Sequence, residues 1–198
     1  EGTEELPRAL RRGFILTFDY GHLAPDLYSL QRRRGTLRCY YRHTLGSNPY
    51  HRPGQQDITA HVDFTSLMRS GEQHGLTAVG FASQRQFLHN LGLTSFLDSL
   101  NERPLAQRER DANRMAMLEL VKPGGMGDFK VLAQAKGIDR DIELLGFTPD
   151  NPLKRGLQAG SRLSQAPLLS REHLDLMGAR YPHLSWEWEE LWPSGEGT

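Results

Sequence analysis

Residues 14–21 read Phe-Ile-Leu-Thr-Phe-Asp-Tyr-Gly, and this stretch decides the fold class. A nearly continuous apolar run closed by a carboxylate, an aromatic ring and a glycine reads as a strand buried on both faces. That is the habit of parallel sheets covered by helices. Asp19, Tyr20 and Gly21 then fall at the strand's carboxyl end, where open α/β sheets bind their ligands. Asp19 there either touches a ligand or hydrogen-bonds nearby backbone in a tight exit turn.

Downstream, residues 22–60 carry little periodicity but many Gly, Pro, Tyr, His and Arg residues. A stretch of that length without clear elements is usually functional or disordered. The spacing of Val62, Leu67 and Met68 predicts a short helix over 62–74, with Asp57 or Thr59 as its N-cap and Gly75 as its stop. Leu76–Phe81 is a second strand, and Gln84–Leu91 a helix ended by Gly92. Pro104–Val121 is the strongest helical segment, closed by Pro123-Gly124-Gly125, and Phe129–Ala133 is a third strand. Residues 138–170 look loop-rich, and His173–Ala179 has helical spacing, with Trp186 and Trp188 near the end of the chain. This order of elements is α/β, but three strands in 198 residues is sparse, as in the second half of a larger sheet.

Composition narrows the function classes. The 24 basic and 24 acidic side chains balance, which argues against a dedicated nucleic-acid binder. The longest apolar run, about six residues, falls far short of the roughly 20 needed by a membrane-spanning helix. A single cysteine, Cys39, excludes an intrachain disulfide. Charge is uneven: residues 1–56 hold nine Arg against five acids, whereas residues 171–198 hold two Arg against six acids. The basic end therefore suits either the acidic end or an acidic ligand.

The densest polar cluster is Asp57-Ile58-Thr59-Ala60-His61-Val62-Asp63. On a helix, Asp57 and His61 share a face; on an extended segment, Asp57, Thr59, His61 and Asp63 do. A carboxylate beside an imidazole raises its basicity, as a general base requires. The same groups suit a divalent metal only with further ligands, and a helix cap with a packed histidine is the structural alternative. Arg32 to His43 mixes cations with aromatics in a way that suits RNA or simply a solvated basic loop. The glycines of 124–127 precede a strand instead of leading from one into a helix, which makes them a turn and not a phosphate cradle.

Taken together, Phe14–Gly21, Gly35-Thr36-Leu37, His43, Pro53-Gly54, Asp57–Phe64, Gly75-Leu76, Gln84, Phe87-Leu88 and Met126–Leu132 resemble the MidA family over about residues 13–136. The resemblance implies a class I (Rossmann-like), S-adenosylmethionine-dependent methyltransferase acting on protein arginine. Its mitochondrial member is tied to respiratory complex I assembly. It further implies that the chain carries the family's fifth, sixth and seventh strands plus a substrate-side insertion. The seventh strand would lie antiparallel between the other two. The glycine-rich loop, the acidic residue after the second strand and the Asn-Glu-Phe-Phe-Asp-like segment of that fold do not occur here.

The expectation is thus a mixed α/β sheet in residues 1–137, with 22–60 as insertion, and an extension over 138–198. Asp57 and His61 are the candidate catalytic residues; Asp19, Tyr20, Gly21 and His43 are the candidate substrate-binding residues. No metal site is expected. The implied cofactor is S-adenosylmethionine, with its motif residues missing, so the C-terminal portion is expected to be inactive alone. The implied partner is a protein substrate, a complex I subunit in the mitochondrial case, and the alternative is a non-catalytic module docking such a subunit. The location would be cytoplasmic in a bacterium and the mitochondrial matrix in a eukaryote. An apolar central strand without its neighbour also predicts self-association through the exposed edge.

Overall fold

Strand β1 (Gly13–Asp19), β7 (Thr77–Ser83) and β8 (Lys130–Lys136) form the main sheet, in the order β1-β8-β7. The structure is a computed structural model that describes residues 7, 9–41, 44–46, 48–138 and 142–149. Strand β8 runs antiparallel to both neighbours, pairing Leu16 with Ala133 on one side and Phe81 with Leu132 on the other. The expected antiparallel insertion of the last strand is therefore observed. Because β8 is central and covered on both faces, Val131 to Ala135 are all buried.

Alternation along the strands assigns the two faces. Helix α2 (Phe64–Gln73) covers one of them: Phe64 stacks at 5.3 Å on Phe81, and Gly71 lies so close to Gln134 that no β-carbon would fit. Helix α3 (Gln84–Asn90) lies on the other, where Phe87 meets Phe18 edge-on at 5.5 Å and Phe147 at 5.0 Å. Phe147 in turn fills the space left by Gly80, and Asn90 Nδ2 donates to the Gly146 carbonyl at 3.0 Å. Residues 142–149 thus pack onto the sheet. Helices α4 (Leu93–Glu102) and α5 (Gln107–Glu119) follow, with Leu93, Leu100 and Ala112 buried.

The edge strand departs from its sequence reading. Phe14, Leu16 and Phe18 were expected to be buried, yet they are 39%, 51% and 46% exposed. The reason is coverage: β1 has one paired edge among the described residues, and α3 reaches only the Phe18 end of its face.

Residues 22–60 are not structureless. They hold α1 (Ala24–Leu27), a 3-10 turn at Leu30–Arg32, and a second sheet of order β4-β3-β5. Its strands are β3 (Arg38–Tyr41), β4 (Thr44–Gly46) and β5 (Asp57–Thr59). Two short strands, β2 (Gly21–His22) and β6 (Val62–Asp63), pair in parallel and tie this insertion to the end of β1.

Helix α2 starts at Phe64, so its cap is Asp63 and not Asp57 or Thr59. Asp63 Oδ1 accepts from the Ser66 amide at 3.1 Å, and Asp63 Oδ2 accepts from the Ser66 hydroxyl at 2.8 Å. Residues 57–59 and 62–63 are extended, which removes the helical face shared by Asp57 and His61. The glycines at 124–127 form a turn, with the Gly124 amide donating to Asp128 Oδ2 at 2.8 Å and Arg85 bonded to Asp128 Oδ1 at 2.8 Å. His43, His173–Ala179, Trp186 and Trp188 lie outside the described residues.

Candidate functional site

The parallel pair β2–β6 brings the exit of β1 against the segment that precedes α2. Pairing of Gly21 with Val62 and of His22 with Asp63, together with the Val62 amide donating to the Tyr20 carbonyl at 3.0 Å, fixes the spacing. Only glycine fits at position 21: a β-carbon there would strike the Val62 carbonyl oxygen and approach the Phe64 ring at 2.8 Å. Tyr20 then packs edge-on against both Phe129 (5.5 Å) and His61 (5.7 Å). The rings of His22 and His61 lie 5.1 Å apart.

His22 and His61 share this place but not their environments. His22 Nδ1 is 2.6 Å from Asp26 Oδ2, and Asp26 Oδ1 accepts from Arg32 at 2.5 Å. Desolvation pushes the Asp26 carboxyl up, but the bond and charge of Arg32, with those of His22, outweigh it and hold it below the ordinary range. His61 has no such carboxylate. Its Nδ1 is buried without a hydrogen-bond partner among the described residues, while its amide donates to Thr36 Oγ1 at 3.1 Å. Desolvation lowers the His61 pKa, and the charges of His22, Arg38 and Arg32 lower it further, so the ring is neutral at pH 7. A neutral imidazole beside a carboxylate-bound one is a pair able to hold or take up a proton.

A cavity of about 470 Å³ opens beside His61. Its walls include Tyr28, Arg32, Thr36, His61 and Asp63. Asp63, besides capping α2, accepts from the Tyr28 hydroxyl at 3.3 Å; burial raises its pKa, but the bonds from Ser66, Tyr28 and the Thr65 backbone outweigh this and lower it.

The site residues read from sequence divide accordingly. Tyr20, Gly21 and His61 come together, and Asp19 sits beside them with Oδ1 accepting from the Tyr20 amide at 2.8 Å. Asp57 lies apart. It is exposed on β5 opposite Tyr40 and does not line the cavity. His22, Asp26 and Tyr28 went unnoticed in the sequence, although His22 and Asp26 carry an i, i+4 imidazole–carboxylate spacing that marks them; Arg32 stood out only as part of a basic loop and Thr36 only within the family resemblance. Among the described residues, no cluster of three or more His, Cys, Asp or Glu suits a metal ion. Cys39 is wholly buried in β3.

A sheet whose last strand inserts antiparallel between two others, with a polar cluster at the carboxyl end of β1, places the chain among methyltransferase-like α/β folds. Comparison with known proteins agrees. Residues 2–82 match a family described as "Putative S-adenosyl-L-methionine-dependent methyltransferase". "Protein arginine methyltransferase NDUFAF7, mitochondrial" of Rattus norvegicus is 35% identical over 120 residues, 59% of this chain and 24% of its own length. The Drosophila melanogaster homologue is 30% identical over 128 residues, 64% of this chain and 27% of its own. Two solved structures from Burkholderia thailandensis, one of an uncharacterized protein and one bound to S-adenosyl-homocysteine, align with TM-scores of 0.66 and 0.64. They are 36% and 35% identical, over 74% of this chain and 38% and 37% of theirs. The chain is thus similar to S-adenosylmethionine-dependent methyltransferases, and spans about a quarter of the length of those curated relatives.

The described residues around the cavity do not fit that cofactor. The carboxylates at hand are already engaged, Asp26 by Arg32 and His22 and Asp63 by Ser66 and Tyr28. The cavity's glycine, Gly35, has open space where its β-carbon would be, so it makes no close cradle for a nucleoside.

Proposed function

We propose that this chain forms the acceptor side of a MidA-type protein arginine methyltransferase, with the cofactor's contacts supplied from outside the described residues. The cavity beside His61 carries this reading. It stands at the carboxyl end of β1, is walled by Tyr28 and Asp63, and has a neutral imidazole with one unbonded nitrogen at its edge. Tyr28 and Thr36 orient an incoming side chain, Tyr20 backs the His61 ring and Phe129 backs Tyr20, and the neutral His61 ring is the group that accepts a hydrogen bond or a proton from it. The mitochondrial rat and fly relatives support a mitochondrial location if the source is a eukaryote.

Two titrations test this. S-adenosylmethionine added to the folded chain in a calorimeter should give no heat; saturable micromolar binding would place the cofactor's contacts within these residues after all. A peptide carrying arginine should move the NMR signals of the His22 and His61 rings and leave those of exposed His51 and His89 in place. Unmoved His22 and His61 signals at saturating peptide would reject the acceptor cavity. A second reading, non-catalytic docking of a respiratory-complex subunit, is favoured by the exposed Tyr28, Leu30 and Tyr50 on the insertion. It predicts binding of the subunit that survives loss of the His61 ring.

A further inference from the structure

We infer that Asp63 is the residue that selects a guanidinium in the acceptor cavity, and that the Tyr28 hydroxyl keeps its place until the guanidinium arrives. This rests on the acceptor reading and deepens it. The site's carboxylates, Asp26 and Asp63, differ in what already holds them. Asp26 is closed to a further cation, because His22 Nδ1 lies 2.6 Å from Oδ2 and Arg32 donates to Oδ1 at 2.5 Å. Asp63 stands on the cavity wall, and among the described residues no cation pairs with it. Arg32 and Arg33 share that wall, but the first is held by Asp26 and the second makes no ion pair to Asp63.

The bonds that Asp63 does make are of two kinds. Those from the Ser66 amide (3.1 Å) and hydroxyl (2.8 Å) cap α2 and persist whatever enters the cavity. The third, from the Tyr28 hydroxyl to Oδ2, is exposed and 3.3 Å long, and so weaker than an ordinary hydroxyl bond. A neutral hydroxyl of a nucleoside would replace it by its like and gain nothing. A guanidinium brings a charge and paired N–H donors, and bonds between ionised partners are roughly twice as strong as neutral ones. Exchange at Oδ2 therefore favours the cation. Burial raises the Asp63 pKa, but the Ser66 and Tyr28 bonds outweigh it and keep the carboxyl ionised at pH 7. Once released, the Tyr28 ring, 76% exposed on the same wall, is free to cover the flat face of the bound guanidinium. The chain makes both kinds of contact within itself: Arg32 on Asp26, and the Arg52 guanidinium 4.1 Å over the Tyr41 ring.

The peptide Gly-Gly-Arg-Gly-Gly and its citrulline counterpart have the same shape and differ in charge. Titrated into the full chain and followed by the His61 ring signal, the arginine peptide should bind about tenfold more tightly than the citrulline peptide. Asp63→Asn keeps a side chain that caps helices as well as aspartate does. It should weaken the arginine peptide about tenfold and leave the citrulline peptide unchanged. Tyr28→Phe removes the placeholder and keeps the ring, so the arginine peptide should bind about two- to fivefold more tightly, a gain that a merely structural tyrosine would not give. Loss of both peptides alike in a folded Asp63→Asn, or no loss of the arginine peptide, overturns the inference, while the acceptor reading stands on the wild-type response of His61. Should Asp63→Asn fail to fold, Tyr28→Phe decides, and unchanged or weaker arginine binding there overturns the inference. If neither peptide moves the wild-type His61 signal, the acceptor reading and the inference fall together.

Discussion

Replacing Gly21 by alanine should pull the two strands of the site apart. The added methyl would meet the Val62 carbonyl oxygen, a backbone atom fixed by the β2–β6 pairing, and the Phe64 ring, which is wholly buried. Neither has room to retreat. Overpacking of this kind costs about 1–3 kcal/mol. The Val62-to-Tyr20 backbone bond at 3.0 Å lies in the path of the displacement, and its loss adds about 1 kcal/mol. The sum, about 2–4 kcal/mol, corresponds to a fall in Tm of roughly 5–15 °C for a chain of this size. Urea unfolding of both proteins measures the energy. Nuclear Overhauser contacts between the His22 and His61 rings measure the separation. Gly46→Ala is the control, because a β-carbon there has no neighbour nearer than 3.7 Å. A Gly21→Ala loss below about 0.5 kcal/mol, with the ring contacts intact, would show that glycine does not set the spacing of the site.

Two further outcomes rest on named contacts. Asp63→Ala removes the α2 cap and should destabilise by about 1 kcal/mol, measured by denaturant unfolding at pH 7. Because the folded carboxyl lies below its unfolded value, this contribution is present above about pH 4 and disappears as pH falls through the lower folded pKa, so the two proteins should converge in acid. Equal gaps at pH 7 and pH 3 would assign the loss to something other than the ionised cap. His61 also has a folded pKa below its unfolded value of about 6.5. The neutral ring's contribution is therefore complete above that pH and is lost as pH falls through the folded pKa. His61→Phe should flatten the decline in stability between pH 7 and pH 5, and an unchanged slope would mean that His61 does not titrate with folding.

How much of this was legible before the structure depends on how much apolar surface each element buries. Strands β1, β7 and β8 stood out because each carries a short apolar run bounded by glycine or polar residues. Helix α4 did not, because Gly92 reads as a stop. It does end α3, but in the left-handed conformation (φ 95°) it also starts α4 at the next residue. The β4-β3-β5 sheet gave no signal either, since its three- and four-residue strands expose most of their side chains. Helix α5 starts three residues after Pro104: the Arg110 guanidinium takes the Asn101, Arg103 and Leu105 carbonyls and holds that approach outside the helix.

At the site, two imidazole–carboxylate pairs share one spacing and differ in backbone. A carboxylate four residues from an imidazole is a sound sign of a polarised histidine, and Asp57 and His61 have that spacing. It operates only where the backbone is helical, and residues 57–59 are a strand whose Asp57 faces solvent. His22 and Asp26 have the same spacing across the start of α1, where the chain turns, and there the contact forms at 2.6 Å. Pro25, within the first turn of α1, marks that helix start in the sequence. His61 is then left with the opposite character, a ring without a carboxylate, desolvated by Tyr20 and kept neutral by the cations around it. Spacing found both histidines; local backbone decides which one holds the carboxylate.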